Sequence, residues 1–339
     1  MESNISVREL KILEDAPKTK LRRTIDRVLS ALPFVLAVDL ILIYELLPNF
    51  KKYAANKIAY PVSNIYTVLL GAVAVALLIY FIVSLFSARA FEKLLFKAPL
   101  YCVIFLILGA YDFATLKTGI LPLPYFPWVD RILMAIVEDR VILLDCIAHS
   151  LVLLFAGYFT GTIAGLATGI GAGWSPRVRY WVMPLMKLLG PIPSTTWISI
   201  ILIIASSLFG GSVFMIALGV WYPVAMSAFN GVSNVDRSNF EVARTFGVKN
   251  VGLVFKVAIP AAMPSIFNGL TQGMSIACTA LMVAEMLGVE SGLGWYINWQ
   301  RGWAEFAKMY AAVIIICLTF TAVNLVLTFI KKRALRWQA

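Results

Sequence analysis

Long apolar runs separated by short charged segments dominate the chain. A membrane-spanning helix needs roughly 20 consecutive apolar residues. Eight runs fit that length: 31–48, 64–86, 98–115, 147–170, 180–206, 212–230, 262–287 and 309–330. Asp39 and Glu45 interrupt the first, and the third ends where Asp112 enters. No segment alternates apolar and polar residues in the manner of a barrel strand. The predicted class is therefore an all-α integral membrane protein with about eight transmembrane helices.

Three of the runs carry more than hydrophobicity. In 147–170, Gly157, Gly161, Gly165 and Gly169 recur every fourth residue, a stripe along which a neighbouring backbone can approach closely. In 180–206, Pro184, Pro191 and Pro193 precede Ser194, Thr195 and Thr196. Proline removes backbone donors and kinks helices, and freed carbonyls at membrane depth persist only where protein or a wet cavity satisfies them. Two readings follow: a simple kink, or a helix broken beside a transport path. In 262–287, Asn268, Gln272, Ser275 and Thr279 step by 4, 3 and 4 residues, which puts them on one narrow helical face with Thr271 at its edge. Such side chains face a bundle interior or a wet cavity; they line a path or bond helices together. Thr321, Asn324 and Thr328 form a weaker stripe of the same kind. Beyond Gly292 and Gly294, Trp295, Trp299 and Trp303 recur every fourth residue, as an interfacial anchor or as an outer gate.

Composition agrees with this pattern. Of 339 residues, 60% are hydrophobic and 14% charged, against about 45–50% and about 25% in soluble domains. A soluble enzyme is nearly ruled out. The net charge of +11 fits basic cytoplasmic loops better than a nucleic-acid partner. With eight alternating spans, one side receives 20 Lys and Arg and the other 8, which predicts both termini in the cytoplasm. Cys102, Cys146, Cys278 and Cys317 lie far apart and His149 is the single histidine, so no metal site is expected. His149 is given an interfacial or packing role. Glu285 ends its helix near the outer interface and receives no proton-relay role. The polar, basic start of the chain has no signal-peptide core.

The segment 231–260 is too charged for a span and too short for a domain. Ser233, Asn234, Asp236 and Ser238 offer N-caps to a helix over 240–246, with Glu241 in its first turn, where an acid favours the helix dipole. Gly247 suits a left-handed helix end. A second short helix begins near Lys249 and Asn250, and Pro260 marks the return to the membrane. The prediction is a rigid knob that a cytoplasmic partner can push.

Here the sequence resembles a known family. Glu241-Val242-Ala243, Gly247, Val257, Ile259 and Pro260 are similar in spacing to the EAA loop of bacterial ABC importer permeases, with Val242, Val257 and Ile259 as conservative departures. His149-Ser150-Leu151, Pro191-Ile192-Pro193, and Ala284 to Gly288 followed by Ser291-Gly292-Leu293-Gly294 extend the likeness over 121–337, toward the nitrate, sulfonate and taurine type. The resemblance implies a type I permease core of five to six helices over 98–339, with the coupling loop at 231–260. Before it stand a basic cytoplasmic segment, 1–30, and two extra helices within 31–97 that carry no functional assignment.

The same resemblance implies partners: a cytoplasmic ABC ATPase dimer, a second permease subunit identical or paralogous to this one, an external substrate-binding protein, and the bacterial inner membrane. ATP and magnesium then belong to the ATPases and no cofactor binds directly; the chain has no phosphate-cradling GxxxxGK[ST] loop. It is read as a transport subunit rather than an enzyme. The rival is an ion-gradient-driven secondary transporter, which usually keeps buried charged relays; the central parts of the last five spans lack Asp, Glu and Arg. The neutral polar stripe leaves the solute open, with a small anion such as a sulfonate or nitrate implied by the family.

Overall fold

The computed structural model describes residues 20–55 and 61–338. Residues 1–19 of the basic segment lie outside the described residues. Among the described residues all regular elements are helical. The chain divides into two compact units, with the boundary along the sequence between Met134 and Ala135.

The first unit is built from α1 (Lys20–Leu46), α2 (Ile65–Phe86) and α3 (Ala88–Asp112), the last continued by a π turn, Phe113–Lys117. These helices close around Ala37, Leu40, Tyr44, Tyr66, Leu70 and Phe105. The outward faces of α2 and α3 stay apolar and exposed, for example at Val68, Ile79, Phe96 and Ile107, as lipid contact requires. A further helix, α4 (Val129–Glu138), carries the chain across the boundary.

The second unit contains α5 (Arg140–Trp174), α6 (Pro176–Leu189), α7 (Ile198–Ile204), α8 (Leu208–Ser233), α9 (Arg237–Thr245), α10 (Ile259–Gly288), α11 (Leu293–Gly302) and α12 (Phe306–Ala334). Its centre is α8, whose Val220, Val224, Ala225 and Ala228 are fully buried. The glycine stripe of α5 lies on α8. A Cβ at Gly157 would come within 2.5 Å of Ile216 Cβ; at Gly161 and Gly169 it would strike the carbonyl oxygens of Ala217 and Ala225. The paired numbers rise together, so α5 and α8 run parallel. On the other side α10 runs antiparallel to α8, with Gly231 against Ala262, Gly269 against Ser227 and Gly273 against Val220.

Among the described residues, seven helices, rather than eight, are long and apolar enough to cross a membrane. The expected span 180–206 is not one helix. Pro191 and Pro193 withdraw two backbone donors within a single turn, and the helix stops at Leu189. A turn and a 3₁₀ segment, Ser194–Trp197, re-satisfy part of the backbone through Ile192 N–H to the Leu189 carbonyl (3.2 Å) and Thr196 N–H to the Pro193 carbonyl (3.0 Å). The two pieces still climb the whole height of α8. Arg179 bonds Ser233 at one end of α8, Gly190 and Ser194 touch Tyr222 and Gly219 midway, and Ala205 meets Gly211 at the other end. Helices of 14 and 7 residues total about 30 Å at 1.5 Å per residue, the thickness of a hydrocarbon core. The eighth crossing is made in two parts.

The glycine contacts predict a sharp contrast. Gly161→Ala and Gly169→Ala place a methyl group against fixed backbone and should each destabilise by about 1–3 kcal/mol. Gly71→Ala, with nothing within 4 Å, should be neutral or stabilising by about 0.5–1 kcal/mol. Thermal melting of the purified variants in detergent checks this, and equal shifts for Gly161→Ala and Gly71→Ala would refute the close-contact account.

Candidate coupling loop and translocation face

Asp236 opens the knob: its side chain accepts from Ser238 N–H at 3.1 Å and the helix runs Arg237–Thr245. Glu241 is therefore in the second turn, not the first, and the N-terminal dipole is served by Asp236 instead. Gly247 ends the helix at φ +76°. Its N–H donates to the Arg244 carbonyl (2.9 Å), and Val248 N–H donates to the Ala243 carbonyl (3.1 Å). A side chain at 247 would meet no atom within 4 Å, so glycine is required there by backbone conformation and not by space.

The expected second short helix is not separate. Asn250–Leu253 passes through a π turn, Val254–Ala258, directly into α10. The π turn is where Ile259 N–H reaches the Val254 carbonyl, and it absorbs Pro260, which has no N–H of its own. Residues 250–286 form one continuous helix. Around the knob, Val242, Phe246, Val251 and Phe255 are exposed, Phe246 by 83%, while Phe240 anchors the knob edge-on against Trp174. Apolar side chains bared beside Glu241 and Arg244 form a surface suited to a protein partner.

Asn268, Gln272, Ser275 and Thr279 all lie on the exposed face of α10, and Ile276 joins them. Ser275 and Thr279 hydroxyls donate to carbonyls of their own helix, those of Thr271 and Ser275. Asn268 accepts from Lys331 of α12 at 2.8 Å. Helix-to-helix bonding within the chain thus uses Asn268 and leaves the rest of the stripe outward. Ser194 is buried under Gly219 beside Ile276, with a cavity of about 90 Å³ between the broken segment, α8 and α10. Thr195 is half-buried in the same 3₁₀ turn. The break and the stripe therefore adjoin through Ile276. Trp295 and Trp299 of α11, and Trp303 just past its end, are apart from both, at the opposite end from the knob; Trp295 and Trp299 stack at 5.7 Å and Trp299 and Trp303 lie 6.2 Å apart.

Two polar nodes, one buried and one half-buried, went unassigned at the level of sequence. Glu285, 1% exposed, accepts from Ser150 Oγ (2.6 Å) and Gly294 N–H (2.8 Å), while Ser150 Oγ accepts from Leu293 N–H (2.9 Å). The carboxylate thus sits at the N-terminus of α11, the favoured end for an anion. Gly292 (φ +145°) admits it: a Cβ there would lie 2.5 Å from the carboxyl carbon. The signal was present in sequence, because Ser150, Glu285 and Gly292 to Gly294 belong to two of the stretches that carried the family resemblance. Asp139 is the second node, bonded to Tyr296 Oη (2.5 Å) and to Lys308 Nζ (2.8 Å). Together the nodes fasten α11 to α5, α10 and α12.

Ser150→Ala would leave the Leu293 N–H and one Glu285 oxygen without a buried partner, a cost of about 1–3 kcal/mol. Hydrogen exchange of the Leu293–Trp299 amides should accelerate correspondingly, and wild-type exchange in that variant would show that the node does not hold α11.

Residues 158–336 match the family described as "Binding-protein-dependent transport system inner membrane component". The chain is 31% identical over 182 residues to the putative aliphatic sulfonates transport permease protein SsuC of Bacillus subtilis, covering 54% of this chain and 66% of that one. It is 26% identical over 191 residues to the taurine transport system permease protein TauC of Escherichia coli (56% and 70% covered). It is 28% identical over 187 residues to the nitrate import permease protein NrtB of Leptolyngbya laminosa (55% and 67% covered). The matched region thus spans about two thirds of these relatives. A structure of the MetNI methionine ABC transporter in inward-facing form aligns with 58% of this chain and 98% of its own at 18% identity and a TM-score of 0.49.

Proposed function

Because the chain belongs to the family of binding-protein-dependent transport system inner membrane components, we propose that it is the permease subunit of an ATP-driven importer. Its solute is a small anion of the sulfonate or nitrate class. The observation that carries the reading is the polar face of α10. Asn268, Gln272, Ser275 and Thr279 are exposed on a membrane-crossing helix that continues unbroken from the knob. Hydroxyls and amides facing lipid would be costly, so this face is assigned to the path, where a second permease subunit closes it. Ser194 and Thr195 contribute from the broken segment. Neutral amides and hydroxyls can hold a small anion, and the Lys331 ammonium stands beside Asn268 at one end of the stripe. The family match speaks for this reading and against an ion-gradient-driven transporter.

In this mechanism the surface around Glu241, Val242, Ala243 and Gly247 seats in a cytoplasmic ATPase, and Ile259 and Pro260 join it to the path helix. ATP and magnesium bind on the ATPase pair. Closure of that pair displaces the knob, and the continuous helix 250–286 passes the displacement to the polar face. Trp295, Trp299 and Trp303, on the opposite end, form the outer gate and receive the external binding protein. Both termini lie with the knob on the cytoplasmic side of the inner membrane; residue 98, the expected start of the permease domain, lies inside α3 of the first unit, and the domain is assigned instead to the second unit, from Ala135.

Two experiments test this. Gly247→Asn should keep ATPase co-purification and ATP-driven uptake, because Asn tolerates the left-handed conformation. Gly247→Val should lose both, its strain being about 1–2 kcal/mol; normal uptake in Gly247→Val would remove the loop from the mechanism. For the path, single cysteines at 272, 275 and 279 are placed in a chain lacking Cys102, Cys146, Cys278 and Cys317. They should react with a small polar thiol reagent at rates that change when nucleotide is trapped on the ATPase. Buried Leu281 and exposed Val326, whose helix neighbours Ala322, Val323, Phe329 and Ile330 are apolar, serve as cysteine controls, and stripe cysteines as inert as these in both states would overturn the assignment.

A further inference from the structure

The outer surface of α3 changes in kind along its length. Successive positions on a helix turn by about 100°. Leu94, Ala98, Cys102 and Phe105 are buried and mark the face packed inside the first unit. On the opposite side Arg89, Lys93 and Lys97 recur every fourth residue, and all three are exposed. Further along the helix Leu100, Ile104 and Ile107 are exposed as well. These six positions share one sector about 80° wide. One face thus carries three cations followed by three apolar side chains. Phe96, exposed by 85%, borders it, and Glu92 falls outside it.

The change falls at the membrane boundary. The helix through 88–117 has 30 residues, about 45 Å at 1.5 Å each, against a hydrocarbon core of about 30 Å. Its apolar run, 98–115, takes up nearly all of that core, so residues 88–97 stand in the headgroup layer and beyond it. The three cations are therefore at headgroup depth. From Lys97 to Ile107 is about 15 Å, the acyl depth of one leaflet. Among the described residues none of the three cations has an ion-pair or hydrogen-bond partner. A positive-inside bias needs basic residues near the helix ends, whichever way they face. It does not call for cations aligned on one face above an apolar row.

We propose that this face of α3 binds an anionic phospholipid, its phosphate on Arg89, Lys93 and Lys97 and one acyl chain along Leu100, Ile104 and Ile107. The charges select the headgroup. Three cations with no acid in their sector attract a headgroup of net negative charge, whereas a zwitterionic headgroup brings an ammonium of its own. The apolar row selects a lipid over a soluble phosphate, because only a lipid covers both halves of the face. The flexible stems of the lysines and the arginine lie along the helix and carry their charges to the phosphate.

The test is native mass spectrometry of the full-length chain in detergent with equimolar dioleoyl phosphatidylglycerol and dioleoyl phosphatidylcholine, which share their acyl chains and differ in headgroup charge. The unaltered chain should retain the anionic lipid in clear preference. Arg89→Gln, Lys93→Gln and Lys97→Gln together should lower its affinity for that lipid at least about tenfold, one basic side chain at an anionic surface contributing about fivefold. Phosphatidylcholine retention should not change. Lys51→Gln with Lys52→Gln, exposed cations elsewhere in the first unit, should leave the preference intact, and soluble glycerol 3-phosphate should not displace the lipid. Should the triple variant fail to fold, Lys93→Gln alone carries the test, with about a fivefold loss expected. Equal retention of the two lipids by the unaltered chain, an undiminished preference in the variant, an equal loss in the Lys51 and Lys52 variant, or displacement by glycerol 3-phosphate would each overturn the proposal.

Discussion

Two backbones lie against each other through much of the second unit, and most of what it does depends on that contact. In lipid, helices gain no hydrophobic advantage by meeting, because the acyl chains they leave are as apolar as leucine. What remains is dispersion at short range, and it requires that the backbones come near. Gly157, Gly161, Gly165 and Gly169 let α5 do this against Ile216, Ala217, Trp221, Val224 and Ala225. Gly231, Gly269 and Gly273 do the same for α8 and α10. With both sides of α8 occupied, the polar face of α10 is left outward. The packing of small residues inside the unit thereby decides which residues remain for an external partner.

A second constraint governs the irregular backbone. Freed amide and carbonyl groups at membrane depth are tolerated only beside protein or water. The turn at 190–196 meets this by lying against Tyr222, Gly219 and Ile276, with a small cavity behind it. The π turn at Val254–Ala258 lies before the return to the membrane at Pro260, and it reroutes the helix around that proline without interrupting it. One set of prolines thus produces a break and another a continuous rod, and the surrounding contacts make the difference.

Periodicity was enough to read what lies within one helix. The glycine stripe, the polar stripe and the tryptophan ladder each occupy one element, so their spacing alone placed them. Residues that act across elements were not legible. Ser150 and Glu285 are 135 positions apart, and nothing in either local pattern says that one hydroxyl joins α5, α10 and α11. Asp112 read as a flaw at the end of a span, whereas it lies inside the first unit. Pro191 and Pro193 announced a disturbance, but hydropathy, which sees only composition, counted the segment as one helix. Asp236 outcompeted the neighbouring caps and started α9 three residues early, which moved Glu241 a turn further from the helix start.

The length of the helix through 250–286 sets a distance scale for the machine. Its 37 residues measure about 55 Å at 1.5 Å each, against a hydrocarbon core of about 30 Å. Even tilted by 40°, near the upper limit for such helices, it needs only about 39 Å to cross. Some 15 Å or more therefore stands in the headgroup layer and the water beyond it. The knob stands at the start of this rod, so the partner proposed above would engage it outside the hydrocarbon layer. Because the part beside the knob and the spanning part are one rod, the motion proposed for the knob would reach the far end as a swing in the opposite direction, with the bilayer as fulcrum.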